Sequence, residues 1–138
     1  MNMMELKPGL EIPSVSKHVT LERVRLFYGE SEKNIHTDEA AAREVGLPCP
    51  IAPALMPTAF LSEMLAGFFG KSWIVGGAIA LTFTGMVLVG DIITARGVVE
   101  ESEADDSGTR VSLKIWCEKQ TGSRVVVGRA SAVLVSSP

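Results

Sequence analysis

The chain has 138 residues, about the length of one domain with a single core, so a two-domain enzyme is excluded. Hydrophobic residues make up 46% and charged residues 21%, a balance that excludes a disordered chain and predicts compact packing. Thirteen Lys and Arg against sixteen Asp and Glu give a net charge of −3, and because the basic residues are scattered rather than clustered, nucleic acid is not expected as a partner.

The opening stretch, MNMMELKPGLEIP, holds no basic region followed by an apolar run. No signal peptide is therefore expected, and a cytoplasmic location is the expectation. Thr20 can cap a short helix through Tyr28, since Leu21, Val24, Arg25 and Tyr28 fall at helical spacing. A loop from Gly29 to His36 follows. Thr37 or Asp38 then opens a second short helix, EAAAREV, with Gly46 at a plausible position just past its end and Pro48 beyond. Cys49 and Cys117, the two cysteines, form no C-x-x-C pair, and with two histidines they cannot build a structural zinc site, so reduced thiols and no metal are expected.

From Pro53 to about Phe69 apolar residues cover most faces of a predicted buried helix, with Ser62 and Glu63 as polar exceptions. Pro53 suits the first turn, and Pro57 must also lie near the start if the helix is not to kink. Nineteen uncharged residues lie between Lys71 and Asp91, close to the ~20 needed to span a bilayer. Gly76, Gly77, Gly85 and Gly90 and the alternation Leu81-Thr82-Phe83-Thr84 argue against a membrane helix. Strands are predicted around Trp73–Val75, Ala78–Thr84, Asp91–Glu101, Thr109–Lys119 and Arg124–Val135, with turns at Ala104–Gly108 and Gln120–Ser123. In the fourth of these, Val111, Leu113, Ile115 and Cys117 alternate with Ser112, Lys114, Trp116 and Glu118, as a sheet with one buried face requires. One apolar helix followed by four or five strands predicts an α+β domain, an antiparallel sheet wrapped around that helix, over 1–138. A hot-dog fold fits, and the pattern alone also allows other α+β domains.

The segment Tyr28-Gly29-Glu30-Ser31-Glu32-Lys33-Asn34-Ile35-His36-Thr37-Asp38 resembles the Y…G-D-x-N-P-[LIV]-H-x-D signature of the MaoC-like, R-specific enoyl-CoA hydratases. Val45-Gly46-Leu47-Pro48-Cys49-Pro50-Ile51-Ala52-Pro53-Ala54-Leu55-Met56 resembles that family's G-x-P-x-x-I-A-H-G-[ML] lead into the central helix. Phe83 and Val87-Leu88-Val89-Gly90-Asp91 resemble its F-x-x-P-V-x-x-G-D stretch. The resemblance implies a hot-dog fold and an acyl-thioester hydratase or dehydratase, acting on a 2-enoyl or 3-hydroxyacyl group carried by coenzyme A or a carrier protein. It implies no cofactor besides that thioester substrate, and a homodimer or a multiple of it with sites at the interface.

The same resemblance puts the general base and acid on His36, whose imidazole suits proton transfer near neutral pH. The carboxylate position, five residues earlier, falls on Ser31, a water-positioning hydroxyl, with Glu30 and Glu32 on either side as substitute acids. Asn34 stands at the family's Pro, and Pro53-Ala54 replaces His-Gly. Ala54 N–H is the implied oxyanion donor, where unpaired amides and the helix dipole favour negative charge, and a Gly-type backbone there would be costly for Ala. Leu55 and Ser62 complete the implied substrate-binding set; Ser62 could instead bond its own backbone at i−4. Glu63, an acid on an apolar helix, marks the thioesterase alternative, because hot-dog thioesterases of another branch carry their catalytic carboxylate there. A non-catalytic or acyl-binding subunit is the alternative outside enzymes.

Overall fold

The computed structural model describes residues 6–29 and 33–135. Glu30, Ser31 and Glu32 lie outside the described residues. A short strand β1 (Val15–His18) leads into helices α1 (Leu21–Tyr28) and α2 (Glu39–Glu44). The long helix α3 (Leu55–Phe69) and the short α4 (Lys71–Gly76) precede strands β2 (Ala78–Phe83), β3 (Ile92–Asp105), β4 (Gly108–Glu118) and β5 (Arg124–Leu134). The five strands make one antiparallel sheet in the order β1-β3-β4-β5-β2.

The caps explain where the short helices start and stop. Thr20 Oγ1 accepts from Arg23 N–H at 3.1 Å and opens α1. Between the two expected starts of α2 the structure selects Asp38, whose carboxylate accepts from Ala40 and Ala41 N–H. Gly46 ends it at φ 87, a left-handed conformation open to glycine. Leu47 N–H then reaches Ala42 O and Gly46 N–H reaches Arg43 O, the paired bonds of a Schellman stop.

One face of the sheet packs on α3. Val111, Leu113, Ile115 and Cys117 of β4 are buried, as their alternation predicts, and meet Phe60, Leu61, Met64 and Leu65 of α3 in one cluster with Val99, Val126, Ala130 and Ala132. Each fully buried Leu, Ile or Val side chain contributes about 1.5–3 kcal/mol from water exclusion. Pro57 lies in the first turn of α3, so the helix continues past it.

Three expectations change. Trp73–Val75 is helix, not strand: Trp73 stacks on Phe69 with ring centroids 6.2 Å apart and donates from Nε1 to Ser62 Oγ at 3.0 Å, which curls the segment back onto α3. The expected turn at Ala104–Gly108 narrows, because β3 runs on to Asp105 and pairs it with Gly108. β1, absent from the sequence reading, pairs with β3 from Val15↔Ala95 to His18↔Ile92. The uncharged stretch 72–90 divides among α4, β2 and a loop, and among the described residues no helix is long and apolar enough to cross a membrane.

Candidate active site around His36

Asn34 shapes the loop that carries His36. Its Oδ1 accepts from the N–H groups of His36 (2.9 Å) and Thr37 (3.1 Å), and its Nδ2 donates to Thr37 Oγ1. A side-chain amide thus makes a turn here by local hydrogen bonding. Arg25 of α1 ties down the far side of the loop by donating to Thr37 O at 3.1 Å, and the Tyr28 ring lies 4.9 Å from that of His36.

The imidazole is held through one nitrogen. His36 Nδ1 lies 2.7 Å from the Ile51 carbonyl; a carbonyl only accepts, so Nδ1 carries the proton in the neutral ring and Nε2 keeps a lone pair. The strip around Ile51 is fixed from both sides. Ile51 N–H donates to Ile35 O, Ala52 N–H to Val87 O and Val89 N–H to Pro50 O, so Ile51 forms an isolated bridge with Leu88.

His36 opens onto a cavity of about 190 Å³ whose walls include Ile51, Ala54, Pro57, Phe83, Met86 and Val126. The surroundings of the imidazole are mainly apolar. Ala54 caps α3 at φ −56, ψ −30, an ordinary right-handed geometry, which corrects the expectation that Ala would be strained where the family has Gly. Among the described residues no carbonyl accepts from Ala54 N–H, while Met56 N–H is already bonded to Pro53 O. The cavity is thus lined by His36, whose Nε2 keeps a lone pair, and by Ala54 at a helix start, where negative charge is favoured.

The remaining expected residues are distributed differently. Leu55 is 69% exposed and does not line the cavity. Ser62 also lies outside the cavity lining, and its hydroxyl accepts from Trp73. Glu63, the acid behind the thioesterase alternative, faces solvent and pairs with Lys17 Nζ at 3.0 Å. Glu30, Ser31 and Glu32 fall outside the described residues. Sequence reasoning did not find Ile51 as the partner of His36, because every residue has a backbone carbonyl and no side-chain pattern marks this one. It gave Asp91 no role beyond its place in the Val87–Asp91 block, although its carboxylate is buried and bonded to Leu88 N–H, Gln120 and Lys119.

The MaoC like domain family matches residues 12–128 of this chain. None of the curated proteins matches it. Among solved structures, the monoamine oxidase regulatory protein from Archaeoglobus fulgidus superposes with a TM-score of 0.80 at 22% identity, covering 100% of this chain and 96% of that one. The (R)-hydratase of A. caviae involved in PHA biosynthesis gives 0.74 at 25% identity, covering 94% and 98%. The ChsH1-ChsH2 complex from Mycobacterium tuberculosis gives 0.73 at 16% identity, covering 93% and 98%. The relatives of this fold thus include a hydratase, a regulatory protein and a heteromeric assembly. With the family match spanning most of the chain and a long helix seated on a five-stranded antiparallel sheet, the protein belongs to the MaoC like domain family and has its hot-dog fold.

Proposed function

We propose that the protein is an acyl-thioester hydratase or dehydratase, adding water to a 2-enoyl thioester or removing it from a 3-hydroxyacyl thioester of coenzyme A or a carrier protein. The observation that carries this reading is that His36 lines an apolar cavity while its Nδ1 is bonded to Ile51 O, which leaves Nε2 as an acceptor. In hydration Nε2 takes a proton from water as the water oxygen bonds to C3. The electron pair of the double bond shifts toward the thioester carbonyl, whose oxygen is met by Ala54 N–H. The enolate then takes at C2 the proton now held on Nε2, which returns the imidazole to its neutral form, and dehydration runs the same steps backwards. Glu32 or Glu30 is the proposed carboxylate partner, with Ser31 as a water-positioning hydroxyl.

Hydration of a crotonyl thioester, followed as loss of its conjugated absorbance, tests the assignment. His36→Ala is expected to lower turnover at least ~10²-fold while the circular dichroism spectrum stays unchanged. A wild type no more active than the variant would overturn the enzyme reading in favour of a non-catalytic, acyl-binding subunit, the reading that Ser31 at the family's Asp position favours. Ser31→Asp and Glu32→Gln, assayed side by side, assign the acid: loss in Glu32→Gln with no gain in Ser31→Asp places it at Glu32, and the reverse leaves it missing in the native chain.

A further inference from the structure

Asp91 is buried just before β3, where an acid needs partners. It has them on three sides. Its Oδ2 accepts from Leu88 N–H at 2.8 Å and lies 2.9 Å from Lys119 Nζ, and its Oδ1 accepts from Gln120 Nε2 at 3.1 Å. Gln120 in turn accepts from Ile92 N–H, and Asp91 N–H donates to Leu88 O. The carboxylate therefore closes the 88–91 turn and ties it to the turn between β4 and β5.

That turn reaches His36 through two further links. Residues 87 and 89 hold 50 and 52 by Ala52 N–H to Val87 O at 2.8 Å and Val89 N–H to Pro50 O at 3.0 Å, and between those two bonds the Ile51 carbonyl meets Nδ1. Neither bridge bond uses Leu88 N–H, which is left for the carboxylate. We infer that Asp91 is a positioning residue for His36: by fixing the 88–91 turn it aims the Ile51 carbonyl at Nδ1 and so selects the tautomer whose Nε2 accepts a proton. Asp91 does not line the cavity; it acts through the backbone of two segments. The general ground is that a histidine's tautomer is set by the hydrogen bond its other nitrogen makes.

The chain holds only two histidines, His18 and His36, so imidazole nitrogen NMR of the ligand-free protein reads the tautomer directly, with His18→Gln assigning the signals. At a pH where the rings are neutral, wild-type His36 is expected to show a protonated Nδ1 and an unprotonated Nε2. In Asp91→Ala both signals are expected to move toward the averaged values of a free imidazole, whereas Asp91→Asn, whose amide oxygen can still accept from Leu88 N–H, keeps the wild-type pattern. Asp91→Ser, whose acceptor is one atom shorter, is measured beside them, with an excluded osmolyte to hold each variant folded. A folded Asp91→Ala or Asp91→Ser with the wild-type pattern overturns the inference, as does a wild type protonated at Nε2. A role in fold stability alone would lower Tm and leave the tautomer unmoved. The catalytic consequence rests on the reading of His36 above: kcat is expected to fall about tenfold with KM little changed, and Asp91→Asn to recover it. Because the NMR experiment uses no thioester, its failure and the failure of the hydratase reading are separately visible.

Discussion

Burial by itself pushes the Asp91 carboxyl up, and the Lys119 ammonium, Leu88 N–H and Gln120 amide together outweigh it and hold the group below the usual aspartate value of 3.8. An acid whose folded pKa lies below its unfolded one stabilises the fold above the unfolded value, and the contribution is lost as pH falls through the folded value. Wild-type Tm is therefore expected to drop as pH falls below about 4. Lys119→Met removes a cation that lowers the Asp91 pKa and brings the folded value closer to the unfolded one, so less of its stability is expected to be lost on acidification; thermal melts from neutral to acid pH check this, and an equal or larger drop in Tm for the variant would contradict it. The two thiols differ by the same physics. Burial pushes Cys117 up to about 12, so alkylation of the native protein at mildly alkaline pH is expected to spare Cys117 and modify the part-exposed Cys49, as peptide mass spectrometry would show.

The bond between Trp73 and Ser62 holds α4 against α3, and because one donor meets one acceptor it can be measured as a coupling. Trp73→Phe keeps the stacked ring and loses the N–H, and Ser62→Ala loses the acceptor. Each is expected to cost about 1 kcal/mol in urea unfolding, with the double variant costing little more than either alone. This element is also where the sequence misleads. Trp, Ile and Val in succession favour strand, but they follow Gly70, whose φ of 60 breaks α3, and the contacts of Trp73 with Phe69 and Ser62 override local propensity. β1 was illegible for another reason: four residues alternating half-buried and exposed are too few to stand out. The long strands, the buried helix and the cap at Thr20 were legible because period and capping chemistry are local. His36 was marked as a candidate by its motif, whereas its partner at Ile51 and the support from Asp91 depend on backbone groups brought together by the fold.

At the scale of the whole molecule, β2 is an edge strand exposed along most of its length, with Ile79 and Phe83 uncovered. Unpaired edge groups beside exposed apolar side chains are what a second copy would cover. Light scattering at micromolar concentration is expected to give a dimer or a multiple of it, and Ile79→Lys to shift it toward monomer; a monomeric wild type would contradict this. Close approach constrains the other side of β2, since a Cβ at Gly128 of β5 would collide with the Ala80 carbonyl oxygen. The strand order carries a consequence for the timing of assembly. The central strands β3, β4 and β5 are joined in sequence by short turns, whereas the two outer strands come from earlier in the chain and pair across long separations. Closing long loops is slow, and neighbouring hairpins form fast. A chain emerging from the ribosome therefore holds its first half, His36 included, without a sheet to pack on until the last strands are made. The histidine of the candidate site comes early in synthesis and is set in place late.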